Sequence, residues 1–322
     1  MNFSRRSMGV AIGLVVDQAL GDKPLRPHPV AVFGSTMNQV EKGIYRDHHL
    51  AGLAHAAIGI GIGVLAGKTL GRMPFGARLS GATVVATYIA VAGRSLGETA
   101  EYVGGALVID DLDQARFRVK SLVGRSTDEL NESEVARAVV ESVAENTVDA
   151  IVAPAMWAVI GGAPGVFAHR AINTLDAMVG YRSPRYLRFG WASARLDDVA
   201  AWLPARVTAL LVMLVRPRSA SSVIQAVRRD APHHPSPNSG VAEAAFAAAL
   251  GVRLGGVSTY GERVESRPLL GVGDDPVAVD IDRAVRLSRD VSWALVSLFS
   301  IPPFVLWLAS RLRRPRMRRL AA

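Results

Sequence analysis

Apolar runs free of charge alternate with long polar segments along the 322 residues, and this alternation sets the expected architecture. Four runs are uninterrupted: Leu50 to Gly67, Leu79 to Gly93, Ala150 to Ala168 and Val291 to Ser310. A fifth, Val199 to Val215, is broken by Arg206, and a shorter sixth, Met8 to Leu20, by Asp17. About twenty helical residues at 1.5 Å each match the roughly 30 Å hydrocarbon core of a bilayer. The Val291 run fits that length, with a kink predicted at Pro302 and Pro303. Others suit helices that enter the bilayer and turn back, a geometry tolerated where protein surrounds the backbone. The expected fold is mainly α, a polytopic integral-membrane helical protein with some re-entrant or half-buried helices.

One integral-membrane domain over 1–322 is expected, with polar loops at 21–49, 94–149 and 216–290 and a basic C-terminal tail at 311–322. Two helices are legible inside those segments. Asn131-Glu132-Ser133-Glu134 has the form of a capping box, opening a helix through about Glu145 with Val135, Ala138, Val139 and Val143 on its apolar side. Strong helix formers from about Gly240 predict a second helix that stops at Gly251. No internal repeat or linker divides the chain.

Half of the residues are apolar and 20% are charged, and the mean hydropathy is +0.23. Such a chain can bury a large core, so disorder is excluded. The absence of cysteine excludes disulfides, thiolate metal sites and a cysteine nucleophile. The net charge of +9 is concentrated in Arg311, Arg313, Arg314, Arg316, Arg318 and Arg319, which leaves about +3 for the remainder. A basic tail after an apolar run is a topology signal rather than a nucleic-acid footprint, and no nucleic-acid partner is expected. Basic residues at both ends and at Lys68, Arg72 and Arg78 predict that the termini and that short loop face the cytoplasm. Ser4-Arg5-Arg6-Ser7 imitates a twin-arginine export signal, but the apolar stretch after it is short and lacks a cleavage site.

Several motifs are decoys. The stretch from Gly61 to Thr69 imitates a P-loop, yet Ile62 stands where glycine is required and no strand precedes it. Gly59, Gly63 and Gly67 instead form a small-residue stripe for close helix packing. Trp157, Trp202, Trp293 and Trp307 read as interfacial or core residues. The pairs His48-His49 and His233-His234 diverge in most backbone conformations and make poor metal sites.

Three segments carry candidate chemistry. On a continuing helix Glu141, Glu145 and Asp149 share one stripe that runs into an apolar segment, where unpaired acids are costly. Next, Asn173, Asp176, Arg182, Arg185, Arg188, Arg195, Asp197 and Asp198 crowd between two apolar runs. Arginines there suit carboxylate or phosphate, and the Asp pair suits hydrated magnesium. Third, the prolines around His234, Ser236 and Asn238 stiffen a loop that leads into a helix start, a good setting for an anion.

Four segments in this order resemble the CobD/CbiB family of cobalamin biosynthesis, the adenosylcobinamide-phosphate synthases. They are LGDKPLRPHPV, ESVAENTVDAIVAP, HRAINTLDAMVGYRSPRYLRFGWASARLDDVAAWLPAR and HPSPNSGVAEAAFAAALGVRLGG. Lys23 departs from the family's Gly-Asp-Pro, while His28-Pro29 is retained. The resemblance implies a multi-pass enzyme of the cell (inner) membrane. It would join adenosylcobyric acid to (R)-1-amino-2-propanol or its O-phosphate through an amide, with ATP and Mg2+. The implied partners are those substrates, the lipid bilayer and other corrinoid-pathway enzymes.

Read against that reaction, Glu145 or Glu141 is the candidate base, and Arg195 the cation for developing phosphate charge. Asp149, Asp197 and Asp198 are candidate magnesium ligands. His28, Asn146, Asn173, Asp176, His234, Ser236 and Asn238 are candidate substrate contacts. No recognised nucleotide motif is visible. The rival classes are a membrane transporter and a non-catalytic membrane partner of a corrinoid-pathway complex. A carrier should concentrate its polar groups within the spans, and a scaffold needs neither the acid stripe nor the proline-rich loop.

Overall fold

A computed structural model describes residues 3–22, 25–73, 80–124, 126–260 and 263–312. Its order is α1 (Phe3–Leu20), α2 (Pro29–Ile44), α3 (His49–Arg72), α4 (Gly81–Ala90), α5 (Gly93–Val108), α6 (Leu112–Val119) and α7 (Glu132–Thr147). A π-helical turn (Val148–Val152) then leads into α8 (Ala153–Val179), α9 (Trp191–Val215), α10 (Ala220–Arg229) and α11 (Ser239–Leu250). The strands β1 (Leu254–Tyr260) and β2 (Arg263–Leu270) pair antiparallel, and α12 (Ala278–Leu312) follows. The fold is mainly α. Among the described residues three stretches are long and apolar enough to cross a membrane: His49–Arg72, Glu132–Val179 and Trp191–Val215.

The middle stretch does not run straight. Gly162 has φ 63° and ψ −152°, a conformation that favours glycine, with Pro164 just beyond it. Asn173 Nδ2 lies 3.1 Å from Asp149 Oδ2, although 24 residues separate them. On a straight helix they would stand roughly 36 Å apart. The chain therefore reverses at Gly162. Helix leads into this reversal from Glu132 and out of it to Val179, so the two arms are unequal, roughly 45 Å and 25 Å long. The Ala150 to Ala168 run is thus a helical hairpin.

Glycine lets this hairpin dock. A Cβ on Gly63 would lie 2.6 Å from the Phe167 carbonyl oxygen, one on Gly67 2.4 Å from the Pro164 nitrogen, and one on Gly59 2.7 Å from Leu175. The stripe on α3 thus runs antiparallel along the second arm of α8, as small residues permit. At the hairpin's tip, Arg6 donates to the Ile160 carbonyl. Ile160 and Pro164 flank Gly162, so the Arg5–Arg6 end of α1 and the Lys68–Arg72 end of α3 share one pole of the molecule. Trp157 serves packing, its Nε1 donating to the Ala200 carbonyl at 3.1 Å. Trp202 and Trp293 are half-exposed, and the side chain of Trp307 lies outside the described residues.

The stretches expected as polar loops are largely helical, which corrects the sequence reading. Segment 21–49 contains α2, segment 94–149 contains α6, α7 and nearly all of α5, and segment 216–290 contains α10, α11, the strand pair and the start of α12. The reason is amphipathicity: α10 buries only Val223 and Ala226 and leaves its other side polar, so its charge count resembles a loop. The Leu79 run is likewise not one helix. It breaks at Val91, whose ψ is 151°, and the Ala92 N–H bonds to the Ala150 carbonyl instead of continuing the helix. Both legible helices form as expected. Asn131 and Glu134 bond reciprocally at 2.9 Å in a capping box on α7, and α11 ends at Gly251 with φ 71°. The basic tail beyond residue 312 and the Lys23 departure lie outside the described residues.

The glycine stripe is testable against its own helix. Nothing lies within 4 Å of a Cβ on Gly61, whereas Gly67 meets backbone. Gly61→Ala should be neutral or stabilising by up to about 1 kcal/mol. Gly67→Ala should cost about 1–3 kcal/mol through overpacking. Thermal unfolding of the detergent-solubilised variants measures both, and equal melting temperatures would refute the close α3–α8 contact.

Candidate active site

The hairpin brings three helices side by side at one level. Asn173, on the second arm of α8, donates from one amide nitrogen to Asp149 on the π-helical turn (3.1 Å) and to Asp197 on α9 (3.4 Å). Its Oδ1 accepts from Arg170, one turn below on the same arm, at 3.3 Å. Asp149 feels the charges of Asp197 and Glu145, Asp176 those of Asp198 and Glu145, and Asp197 those of Asp176, Asp198 and Glu145. Charge repulsion therefore links these acids around Asn173.

The start of α11 closes over this cluster. Ser239 donates to Glu145 Oε1 at 2.9 Å. The Asn238 amide donates to the Asp198 carbonyl (2.8 Å) and accepts from Arg206 (3.0 Å). Ser236 Oγ accepts from the backbone N–H groups of Asn238 (3.3 Å) and Ser239 (3.1 Å), which shapes the turn. The acid-bearing helix and the proline-stiffened loop thus meet directly, although 94 residues separate Glu145 from Ser239.

Other candidates are directed elsewhere. Glu141 is buried and accepts from the Gly255 N–H at 2.9 Å, beside Arg137, which donates to the carbonyls of Gly255 (2.6 Å) and Val257 (2.9 Å). It anchors the β1–β2 hairpin. The Asn146 amide turns back onto Ser142, at 2.9 Å from its carbonyl. Arg195 is mostly exposed and pairs with Asp198 at 3.5 Å.

His28 caps α2, its Nδ1 accepting from Val30, with Nε2 3.9 Å from Asp22. Burial holds this imidazole below the ordinary histidine range, Asp22 opposing and Arg170 adding to the shift. The N-terminal motif therefore reaches the cluster through Arg170. His234 Nδ1 lies 3.1 Å from the Ser236 nitrogen and 3.2 Å from its carbonyl oxygen, and Nε2 is 3.7 Å from Glu243. Burial also lowers its pKa.

Among the described residues no three His, Asp or Glu side chains are gathered as a metal cage. Magnesium needs fewer, since it takes one or two carboxylates and keeps water and substrate phosphates as its other ligands. Asp149 and Asp197, held to one amide by Asn173, fit that donor set. Asp198 is turned towards Arg195.

Arg170, Arg206 and Ser239 escaped the sequence reading as site residues. Arg206 carried a signal, being the lone charge in its apolar run, and Arg170 sits just past the end of another. Ser239 had none beyond adjacency to Asn238.

A family model described as CobD/Cbib protein matches residues 10–288. The chain belongs to the CobD/CbiB family. A relative named cobalamin biosynthesis protein CobD in Mycobacterium tuberculosis is 48% identical over 289 residues, covering 89% of this chain and 92% of the relative. Relatives of the same name in Chromobacterium violaceum and Geobacter metallireducens are 43% and 40% identical, covering 93% and 96% of their own lengths. No solved structure matches.

A lowered histidine pKa means that the unfolded chain binds more protons, so stability is complete above the ordinary value of about 6.5 and is lost as pH falls through the folded value. The melting temperature should therefore decline from about pH 6.5 to pH 5, and His234→Gln should flatten that decline. An unchanged slope in the variant would remove His234 as its source.

Proposed function

We propose that this family member works in cobalamin biosynthesis as a multi-pass enzyme of the cell membrane, an acid–amine ligase. It joins the free carboxylate of adenosylcobyric acid to (R)-1-amino-2-propanol or its O-phosphate, using ATP and Mg2+, and yields adenosylcobinamide or its phosphate. The observation that carries the reading is the convergence of Glu145, Asp149 and Asp197 with Ser239, Asn238 and Arg206 inside an apolar helical bundle.

The chemistry follows from charge. A clustered carboxylate field attracts the ammonium form of the amine, and Glu145 then accepts its proton so that nitrogen can attack the acyl carbon of the carboxylate, phosphorylated by ATP with release of ADP, and expel phosphate as the amide bond forms. Ser239, donating to one Glu145 oxygen, holds that carboxylate in place. Arg195 and Arg206 supply cations for phosphate groups, and Asn238 fixes Arg206 by accepting from it. Magnesium at Asp149 and Asp197 would neutralise phosphate charge and polarise a phosphoryl oxygen. Enclosure by α8, α9 and α11 limits water, which strengthens these interactions and protects an activated acyl group.

Amide formation by detergent-purified protein, given adenosylcobyric acid, the aminopropanol phosphate, ATP and magnesium, is followed by mass spectrometry. ATP-dependent product is expected, with turnover lowered about 10²–10⁴-fold in Glu145→Gln, the usual contribution of a general base. Glu141→Gln should instead lower the melting temperature more than the rate. Corrinoid uptake into vesicles without amide product would favour a carrier and overturn the ligase reading.

A further inference from the structure

Three polar side chains from separate parts of the chain meet on the Arg170 side of Asn173, and each keeps a buried atom unbonded. Asp22 Oδ1, His28 Nε2 and Arg170 Nε have no hydrogen-bond partner among the described residues. His28 Nε2 lies 3.9 Å from Asp22 Oδ1, beyond hydrogen-bond reach. Because His28 Nδ1 accepts from the Val30 N–H, the neutral ring carries its proton on Nε2 and has a donor unused. Arg170 feels the charges of Asp149 and Asp22, and His28 those of Asp22 and Arg170, which ties the three to one another and to the acid cluster. The one hydrogen bond of Arg170 among the described residues goes to Asn173 Oδ1, at 3.3 Å. A guanidinium carries five N–H donors, and leaving most of them unused in a partly buried place is costly unless a ligand completes the set.

Neighbouring groups hold this constellation in place. The Asp22 N–H donates to Ser95 Oγ at 3.3 Å, and Tyr88 donates to the Gly21 carbonyl at 2.9 Å. The side chains of His28 and Asp22 are 24% and 34% exposed, so the constellation is open on that side.

Charge says which ligand it takes. One guanidinium stands among two acids, Asp22 and Asp149, so a bare carboxylate would meet a net negative field. A phosphoryl group that arrives with a divalent cation does not, since its several oxygens bond the metal and the guanidinium together. Asp149 already belongs to the donor set that fits magnesium. One water can bridge His28 and Asp22, but it leaves the guanidinium without an anionic acceptor. The proposed reaction offers two phosphates. Arg206 lies with Asn238 beside the Ser239–Glu145 pair, where the amine gives up its proton, and so suits the amine's own phosphate. Arg170 has Asp149 and Asp22 around it instead.

We infer that Arg170 and His28, with Asp22 and Asp149 around them, form the site for a phosphoryl group of the magnesium-bound nucleotide. This rests on the ligase reading above, and it supplies nucleotide contacts that no sequence motif revealed. Arg170 and His28 donate to phosphate oxygens, and the two acids make that binding depend on the metal.

The test is equilibrium dialysis of a non-hydrolysable ATP analogue against the full-length protein in detergent, with and without magnesium. The O-phosphate of (R)-1-amino-2-propanol is dialysed in parallel. Wild type should bind the analogue only with magnesium. Arg170→Gln should lose about ten-fold or more in affinity for it, and Arg170→Lys should recover part of the loss by restoring charge without the fork. His28→Asn keeps a cap for α2 but removes the Nε2 donor, so it should weaken the analogue several-fold. Asp22→Asn should raise the magnesium concentration needed for half-maximal binding. Affinity for the amine phosphate should hold in these variants and fall in Arg206→Gln.

Arg170→Gln decides the matter where it folds, and His28→Asn where it does not. Analogue affinity retained in the deciding variant, or equal binding without magnesium, overturns the inference while amide formation by wild type leaves the ligase reading intact. Loss of the amine phosphate in place of the analogue would reassign the site to the amine and also overturn it. Wild type that binds no analogue and forms no amide sinks both readings.

Discussion

Placing several like charges inside an apolar bundle is the constraint on which the rest of this structure depends. Asp149, Asp176 and Asp197 each feel the charge of Glu145 and of at least one further acid, and each would be costly if left alone among apolar helices. The bundle answers with donors rather than with a full set of counter-ions. Asn173 serves two acids with one amide group, Ser239 serves Glu145, and Asn238 serves the Asp198 carbonyl. Each donor comes from a different part of the chain, so the cluster exists only when α7, α8, α9 and α11 are assembled. The close α3–α8 contact then has a role beyond packing, since it fixes the arm that carries Asn173 and Arg170.

Much of this is written locally in the sequence. The Asn131–Glu134 capping box, the Gly251 stop and the Gly59–Gly63–Gly67 stripe depend on neighbours within one helix, and all three stand in the structure. So does the alternation that marks the chain as mainly helical. Acids entering an apolar run, Asn173 in a mixed-charge stretch and Asn238 beside three prolines could likewise be singled out from residue type and setting.

What escaped depends on long-range geometry. Some apolar runs are expected to turn back, but a count of apolar residues cannot place the turn at Gly162, whose positive φ sets it. Gly161-Gly162-Ala163-Pro164 is a turn signal in composition, but the apolar run around it masks the break. The break at Val91–Ala92 is set by the Ala150 carbonyl, which no local pattern encodes. Glu141 shows the same limit in reverse. Four-residue spacing puts it in line with Glu145, yet its carboxylate is claimed by the Gly255 N–H of a hairpin more than a hundred residues away. Arg206 looked like a flaw in an apolar helix until Asn238 reached it.

The reversal at Gly162 also explains how one site can draw on segments that a simple alternation of crossings would separate. Were Ala150 to Ala168 a full span, Asp149 and Asn173 would lie near opposite membrane surfaces, and Asp197 could join only one of them. The hairpin returns the chain to the level of Asp149 within 24 residues, so Asp197 on the next helix, α9, meets both Asp149 and Asn173. The polar residues can then be surrounded by α7, α8, α9 and α11. Depth and enclosure set the strength of the charges there, and the number of helices meeting at Asn173 sets how finely those charges are placed.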